Sequence, residues 1–457
     1  MEHILSSKEI AEPARKVPVY GEFDVVVLGG GPAGITAAAS AAKNGRSVLL
    51  VERYGFLGGM GTAAGVTNFC GLYANVYGEI RQVVHGVADD LLARMGDLGG
   101  LNSPHLIFGK VYALSYDMSA FKCAADAILE AAGVQILFHA LGAGVSIAAD
   151  GSIDALFLET KSGRVAVRGR VFIDCSGDAD LAQWAGVAFE KGSGAGQMMY
   201  PSLMFRIGGV NPATAGEAWL TIPKVMKEVQ ESGKYLFPRR GAIVRPQKNP
   251  TEWRANVTQL SDFDGCATDG TDARALSAGE LEGRRQITEY IRFLRQEIRG
   301  FEEAYVLDIA PQVGIRETRR IIGEYVLTAD DVLNCASFDD SIGVNSWPLE
   351  KHVAGDVIWE WPQIPESRGY NQLPYRMLLP RRTEGAGVRN LLIAGRCASM
   401  THDGQSAARV TGGCFVMGEA AGAAAAIALR HEVAVSDVDR TLLQSVLRDQ
   451  GVFLGDA

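Results

Sequence analysis

The feature that most restricts the fold is the turn Gly29-Gly30-Gly31-Pro32-Ala33-Gly34, set between two segments of opposite character. Before it, Phe23 to Leu28 is an apolar run rich in valine, the pattern of a parallel strand buried on both faces. After it, Gly34 to Asn44 is rich in alanine and reads as a helix, and Arg46 to Glu52 (RSVLLVE) reads as a second buried strand. Strand, glycine turn, helix and strand within about 30 residues form a βαβ unit, whose parallel strands require a crossover. The chain is therefore expected to be an α/β protein built on a mainly parallel sheet.

The spacing of the glycines carries chemistry. Gly29 permits the tight turn, Gly31 lets main chain approach a pyrophosphate, and Gly34 lets the helix lie close to the sheet. Pro32 and Ala33 open the helix, whose first N–H groups and partial positive charge suit phosphate. Glu52 ends the second strand about 20 residues on, where a carboxylate can accept from ribose hydroxyls. NAD and FAD both satisfy this pattern.

Glycine is abundant throughout, 54 of 457 residues, but without the period of three that collagen needs. The formal net charge of −9 argues against a phosphate-tracking basic surface, so nucleic acid is not an expected partner. Seven scattered cysteines with no CxxC pair suggest neither a disulfide framework nor a metal site. The first 22 residues form a polar lead without an apolar secretory core, and no apolar run of about 18 residues marks a membrane span. A cytoplasmic location without membrane partners is the expectation.

Along the chain, residues 76–96 and 119–132 carry helical periodicity, and residues 144–177 read as successive strands joined by turns at Asp150-Gly151 and Ser162-Gly163. From about 189 to 375 the composition shifts toward Arg, Trp, Tyr and Pro. Strands are expected at Leu203–Ile207, Arg254–Gln259 and Ala304–Val313, with a helix over Leu276–Arg299. Asn390–Gly395 returns to the buried-strand pattern and precedes a long helix over Ser406–Leu429. The expected organisation is a two-part Rossmann-like domain, 23–188 with 376–457, carrying an inserted α+β substrate domain, 189–375.

Four segments carry a resemblance to a known family: ERYGFLGGMGT (52–62), IDCSGDADLA (173–182), GIRETRRIIGEY (314–325) and NLLIAGRCASMTHDGQSAARVTGGCFVMGEAAG (390–422). They resemble the FAD-dependent oxidoreductases of the glutathione-reductase-like superfold. The resemblance implies FAD as cofactor, with Arg53 beside Glu52 at the ribose. Gly58, Gly59 and Thr62 would run past the pyrophosphate and flavin. Ser176 and Gly177 would lie near the adenosine half. Gly395 and Arg396 stand where the family usually has Gly-Asp at the ribityl chain, and Gln405, Ser406 and Ala407 stand at a helix start facing the flavin. Val145 is placed to meet adenine through its backbone, or is a core valine.

Catalytic candidates are His402, in the polar loop Thr401–Gln405, His352, in a segment rich in Trp and Pro, and Arg316, of the GIRETRR motif. Each has a plain reading as well, a loop histidine or a paired arginine. Trp347, Trp359, Trp361, Tyr370 and Tyr375 would line a substrate pocket or simply pack the insert, and Arg239, Arg240 or Arg245 would serve an anionic substrate. A second GxGxxG and a CxxC relay are both missing, so electrons are expected to pass between FAD and a small-molecule substrate, then to oxygen, quinone or a protein carrier. Two other readings stay open, a reductase of an activated C=C bond and a flavoprotein of tRNA modification. A homodimer is the expected assembly.

Overall fold

The computed structural model describes residues 10–382 and 388–455. Residues 1–9 of the polar lead lie outside the described residues. β1 (Val19–Leu28), α1 (Pro32–Lys43) and β2 (Val48–Val51) form the βαβ unit, followed by α2 (Val87–Asp97), α3 (Met118–Ala131) and β3 (Gln135–Leu137). β4 (Leu141–Ile147), β5 (Ile153–Thr160) and β6 (Gly163–Asp174) are antiparallel neighbours joined by tight turns. The sheet runs β3-β2-β1-β6-β5-β4, parallel from β3 to β6. Val25, Val26, Val27, Leu49 and Leu50 are wholly buried, as a strand covered on both faces requires.

β6 changes partner along its length. Its first half pairs with β5, and Phe172–Asp174 pair in parallel with a strand near the C-terminus, Leu391–Ile393. Both ends of the chain therefore build one sheet.

A second sheet joins β7 (Phe205–Gly208), β8 (Ile243–Pro246), β9 (Trp253–Asn256) and β10 (Tyr305–Ile309) in the order β8-β9-β7-β10. With α4 (Ala273–Glu297) it encloses a separate apolar cluster whose members run from Leu203 to Ile315. The hairpin β11 (Leu349–Val353) and β12 (Asp356–Glu360) follows. Leu327, Ile342, Leu373 and Tyr375 belong instead to the apolar cluster of the parallel sheet, so the packing ties the last part of segment 189–375 to the first unit.

The expected helix over 76–96 is half hairpin. Tyr73–Val76 and Glu79–Gln82 pair across a turn where Tyr77 and Gly78 have φ of 50° and 96°, and Gly86, φ 80°, caps α2. Left-handed backbone at those positions overrides the apolar periodicity.

After β13 (Leu391–Ile393), the expected long helix is two, α5 (His402–Ala408) and α6 (Thr411–His431), broken at Arg409–Val410. α6 is long and apolar enough to cross a membrane, but its apolar stretch, Gly412–Leu429, is buried in the protein core. It lies against α1 at backbone contact. A Cβ on Gly418 would stand 2.0 Å from the Ala33 carbonyl oxygen, and one on Gly422 2.2 Å from that of Ala37. The Thr36 hydroxyl donates to the Phe415 carbonyl at 2.9 Å. The alanines of α1 and the i,i+4 glycines of α6 are thus one packing solution.

Candidate active site

A cleft of about 1810 Å³ of open space runs between the parallel sheet and the second unit. At one end it is made of main chain. Gly29 has φ 102°, and a Cβ there would fall 2.4 Å from the Cys175 carbonyl oxygen. A Cβ on Gly34 would fall 1.8 Å from the Gly29 oxygen, so Gly34 serves helix-to-turn packing and is not part of the lining. Gly31 differs: its Cβ would meet nothing closer than the Gly59 Cα at 3.7 Å, leaving open space over the N-terminus of α1. That helix has no side-chain cap, so its first N–H groups remain for a ligand. Pro32 and Ala33 line the cleft beside it.

Glu52 is buried yet lines the cleft. Its Oε2 accepts from Gly30 N–H at 2.7 Å and its Oε1 from Tyr54 N–H at 2.9 Å. Burial raises its pKa, and the two backbone donors oppose that rise. Each oxygen keeps a lone pair for a hydroxyl of a ligand. Arg53, also in the lining, donates to Gln312 at 2.8 Å.

Ser176 and Gly177 line the same end. Asp174, wholly buried, holds their turn by accepting from Ser176 N–H at 3.0 Å and Ala182 N–H at 2.9 Å. Gly395 (φ 89°) and Arg396 lie opposite, and the Arg396 guanidinium is held by Asp178 at 2.8 Å and the Thr318 hydroxyl at 2.9 Å. Arg396 thus has its own counter-ion.

Several expected contacts fall elsewhere. Gly59 lines the cleft, but Gly58 does not; its φ is 109°, and a Cβ there would strike the Thr62 side chain at 2.4 Å. Thr62 is turned inward, its hydroxyl donating to the Leu57 carbonyl at 2.7 Å. Val145 packs against the apolar cluster, while Leu141 and Gly142, earlier on β4, reach the lining. Gln405, Ser406 and Ala407 are buried behind the cleft, with Gln405 donating to the Arg396 carbonyl at 2.7 Å. The helix start that meets the cleft is that of α6, at Val410 and Thr411, and it too lacks a side-chain cap.

The other end of the cleft is made of side chains. His352 and Glu350 stand two residues apart on β11 and so face the same side. Their contact, Nε2 to Oε1, is 3.0 Å, and Trp347 Nε1 donates to Glu350 Oε2 at 2.8 Å. Burial, then the neighbouring Arg316, hold His352 well below the usual histidine range, so its ring is neutral. Burial would raise Glu350, but His352, Arg409 and Trp347 together outweigh it and keep the carboxylate ionised. Nε2 therefore carries the proton donated to Glu350, and Nδ1 carries the lone pair.

Arg316 reaches this end and donates to the Tyr200 carbonyl at 2.6 Å, Ser202 Oγ at 3.0 Å and Asn256 Oδ1 at 3.3 Å. Its neighbours in the same motif go elsewhere: Arg319 pairs with Asp180 at 2.8 Å, and Arg320 with Glu317 and Glu190. His402 is outside the lining; its Nδ1 is 2.8 Å from Glu317 Oε2, within that same network. Of the aromatic candidates, Trp347 and Trp359 line the cleft, whereas Tyr370 and Tyr375 are core residues. Arg239 is buried behind the lining on Asn256 at 3.0 Å.

Sequence reasoning missed Glu350, Arg254, Asn256 and Arg409. For three of them a signal existed: Glu350/His352 and Arg254/Asn256 are i,i+2 pairs in short β-type segments.

The glycine end suits an extended dinucleotide: a cradle over Gly31 that a Cβ would fill, an uncapped helix terminus and a carboxylate lining the cleft converge on it. Comparison with known proteins agrees. A family model described as FAD dependent oxidoreductase matches residues 24–447. Among solved structures, the chain is similar to a geranylgeranyl bacteriochlorophyll reductase-like protein from Thermoplasma acidophilum, at 14% identity over 95% of this chain and 84% of that one, TM-score 0.47. It is also similar to p-nitrophenol 4-monooxygenase from Pseudomonas putida, at 12% identity over 96% and 90% of the two chains, TM-score 0.44. A curated protein of the nifH2 5′ region of Methanosarcina barkeri is 68% identical over 31 residues, 7% of this chain and 17% of that protein's length. With the family model spanning both parts of the parallel-sheet unit and the second unit between them, the chain belongs to the FAD dependent oxidoreductase family, and its cofactor is FAD.

Proposed function

We propose that the protein oxidises a small organic alcohol or amine at the C–H next to the heteroatom, with His352 as proton acceptor. The observation that carries this reading is the buried His352–Glu350 pair on the wall of the FAD cleft. Gly31, the start of α1, Glu52, Gly59, Ser176, Gly177 and Gly395 would hold the cofactor. Bound FAD supplies a two-electron, hydride-accepting oxidant.

The chain's own part is proton handling and exclusion of water. Glu350, anchored by Trp347, fixes the histidine tautomer that leaves Nδ1 free to take the proton of a substrate O–H or N–H. Once protonated, the ring sits against the Glu350 carboxylate, which offsets the charge that burial and Arg316 resist.

The test is anaerobic mixing of the FAD-loaded protein with a panel of alcohols and amines, following loss of flavin absorbance. At least one donor is expected to bleach it, and His352→Asn is expected to slow that bleaching about 10²–10⁴-fold with FAD content unchanged. Because His352 stays unprotonated, the wild-type rate should hold as pH falls through 6.5 and decline only below it. A panel that leaves the flavin oxidised, or a His352→Asn variant as fast as wild type, would overturn the reading.

A further inference from the structure

Four guanidiniums crowd the His352 end of the cleft, and among the described residues none of them has a carboxylate at ion-pair distance, Glu350 being the one acidic group whose charge they share. Arg254, 3% exposed, donates to the Val66 carbonyl at 2.8 Å and, with the Asn68 amide turned so that its nitrogen faces the Thr67 carbonyl, to the Asn68 amide oxygen at 3.1 Å. Arg316, 6% exposed, is spent on a carbonyl, a hydroxyl and the Asn256 amide. Arg409 Nη2 reaches only the Glu350 backbone oxygen, at 3.3 Å, and Arg239 shares Asn256 with Arg316. Nε of Arg254, Arg409 and Arg239 is buried without an acceptor.

Arg254, Arg316 and Arg409 line the cleft, and the one carboxylate beside them, Glu350, with its hydrogen bonds on His352 and Trp347, offsets a single charge of the four guanidiniums. Burying an uncompensated ion is unfavourable, and arginine does not shed its proton to escape that cost. Such a cluster is built for an anion that arrives with the ligand. The FAD phosphates do not fill this role, because the glycine turn and the start of α1 form their cradle at the opposite end. The planar guanidinium matches a planar carboxylate through paired N–H donors. Trp347 and Trp359, edge to face at 6.0 Å, supply an apolar wall next to it.

We propose that the substrate is a small organic carboxylate, its anionic group held by Arg254, Arg316 and Arg409 and its apolar body against Trp347 and Trp359, with the oxidisable C–H beside His352. The proposal rests on the reading of this end as the substrate end.

The experiment titrates the oxidised FAD-loaded protein with acetate, benzoate and 3-phenylpropionate, with the matched amide of each, and with inorganic phosphate, reading the flavin difference spectrum. At least one carboxylate is expected to perturb the spectrum saturably, with its amide about 100-fold weaker. Arg254→Gln should weaken the carboxylate about 30-fold or more with FAD retained, and Arg254→Lys should recover part of the loss. Should Arg254→Gln not hold FAD, the half-buried Arg409→Gln gives the same reading. Amides as tight as carboxylates, no carboxylate binding, phosphate tighter than every carboxylate, or full binding by the glutamine variant would each overturn the proposal. These ligands bind without being oxidised, so that failure is distinct from failure of the His352 reading: bleaching by neutral donors that depends on His352 would leave the earlier reading standing.

Discussion

The two ends of the cleft are built from different materials. The FAD end is main chain: glycines that hold positive φ or close contacts, two uncapped helix termini, and one carboxylate wired to backbone N–H groups. The end proposed for substrate is side chain: arginines, a histidine and a carboxylate from β9, β11, the segment after β10 and the α5–α6 break, with Arg254, Arg316 and His352 buried. Backbone recognition constrains residue type at fixed spacing, because only glycine tolerates such geometry. Side-chain recognition leaves the spacing free, since tertiary structure brings the groups together.

The largest expected effect separates two glycines three residues apart. In Gly34→Ala the new methyl falls 1.8 Å from the Gly29 oxygen, a backbone clash that exceeds the usual overpacking cost of about 1–3 kcal/mol, so the variant should lose both fold stability and FAD. Gly31→Ala meets no protein atom within 3.7 Å and has φ −74°, so the apoprotein should melt within about 1 °C of wild type while FAD affinity falls about tenfold or more. Thermal unfolding of apoprotein and FAD titration read the two effects. If Gly31→Ala binds FAD normally, the cradle is misassigned.

This contrast explains what the sequence disclosed. The turn 29–34, Glu52, the sheet and the discontinuous parallel-sheet unit were legible because each follows from local periodicity plus a backbone requirement. Thr62 and Gly58 were read toward the cofactor because a glycine cluster reports close contact without saying with what, and the contacts the structure shows at both are internal. The α5–α6 break was hidden because SAARVTGG contains no proline. There Gly412 lies against the Gly71 carbonyl and donates its N–H to that of Cys70 at 2.9 Å, a tertiary contact, while Gly413 lies against the Ala408 carbonyl at the end of α5. Arg409, at that break, could not have been anticipated.

Buried charge offers a second way to test the contrast. On α6, Glu419 accepts from Val87 N–H at 3.0 Å through Oε2, while Oε1 is buried without a partner. Burial pushes its pKa up to about 8; Lys43 pulls the other way, and Asp89 and Asp90 add to the rise. A carboxyl can keep its proton, whereas the arginines of the cleft cannot lose theirs and must wait for an anion. Below about pH 4.5 Glu419 is protonated in both folded and unfolded states and costs nothing. Between there and pH 8 the folded state binds the extra proton, so stability falls as pH rises, by at most about 1.4 kcal/mol per unit. Glu419→Gln should flatten that part of the pH–stability curve, measured by denaturant unfolding from pH 5 to 8.5. An unchanged slope would show that Glu419 is ionised in the fold.

The smallest expected effect concerns His402, which the sequence suggested for the flavin and which lies outside the cleft lining. His402 touches Glu317, a carboxylate that also accepts from Met199 N–H at 2.8 Å and pairs with Arg320. Removing the imidazole leaves Glu317 with two partners, so His402→Asn should cost about 1 kcal/mol of stability, near the net worth of one hydrogen bond. Because the ring is outside the cleft lining, flavin reduction by a donor that works on wild type should change less than about threefold, against the 10²–10⁴-fold expected at His352. Stopped-flow reduction of the two variants side by side decides between the histidines. A larger loss at His402 than at His352 would move the proton acceptor from β11 to α5 and remove the role assigned to Glu350, because Glu350 acts only through the ring it holds.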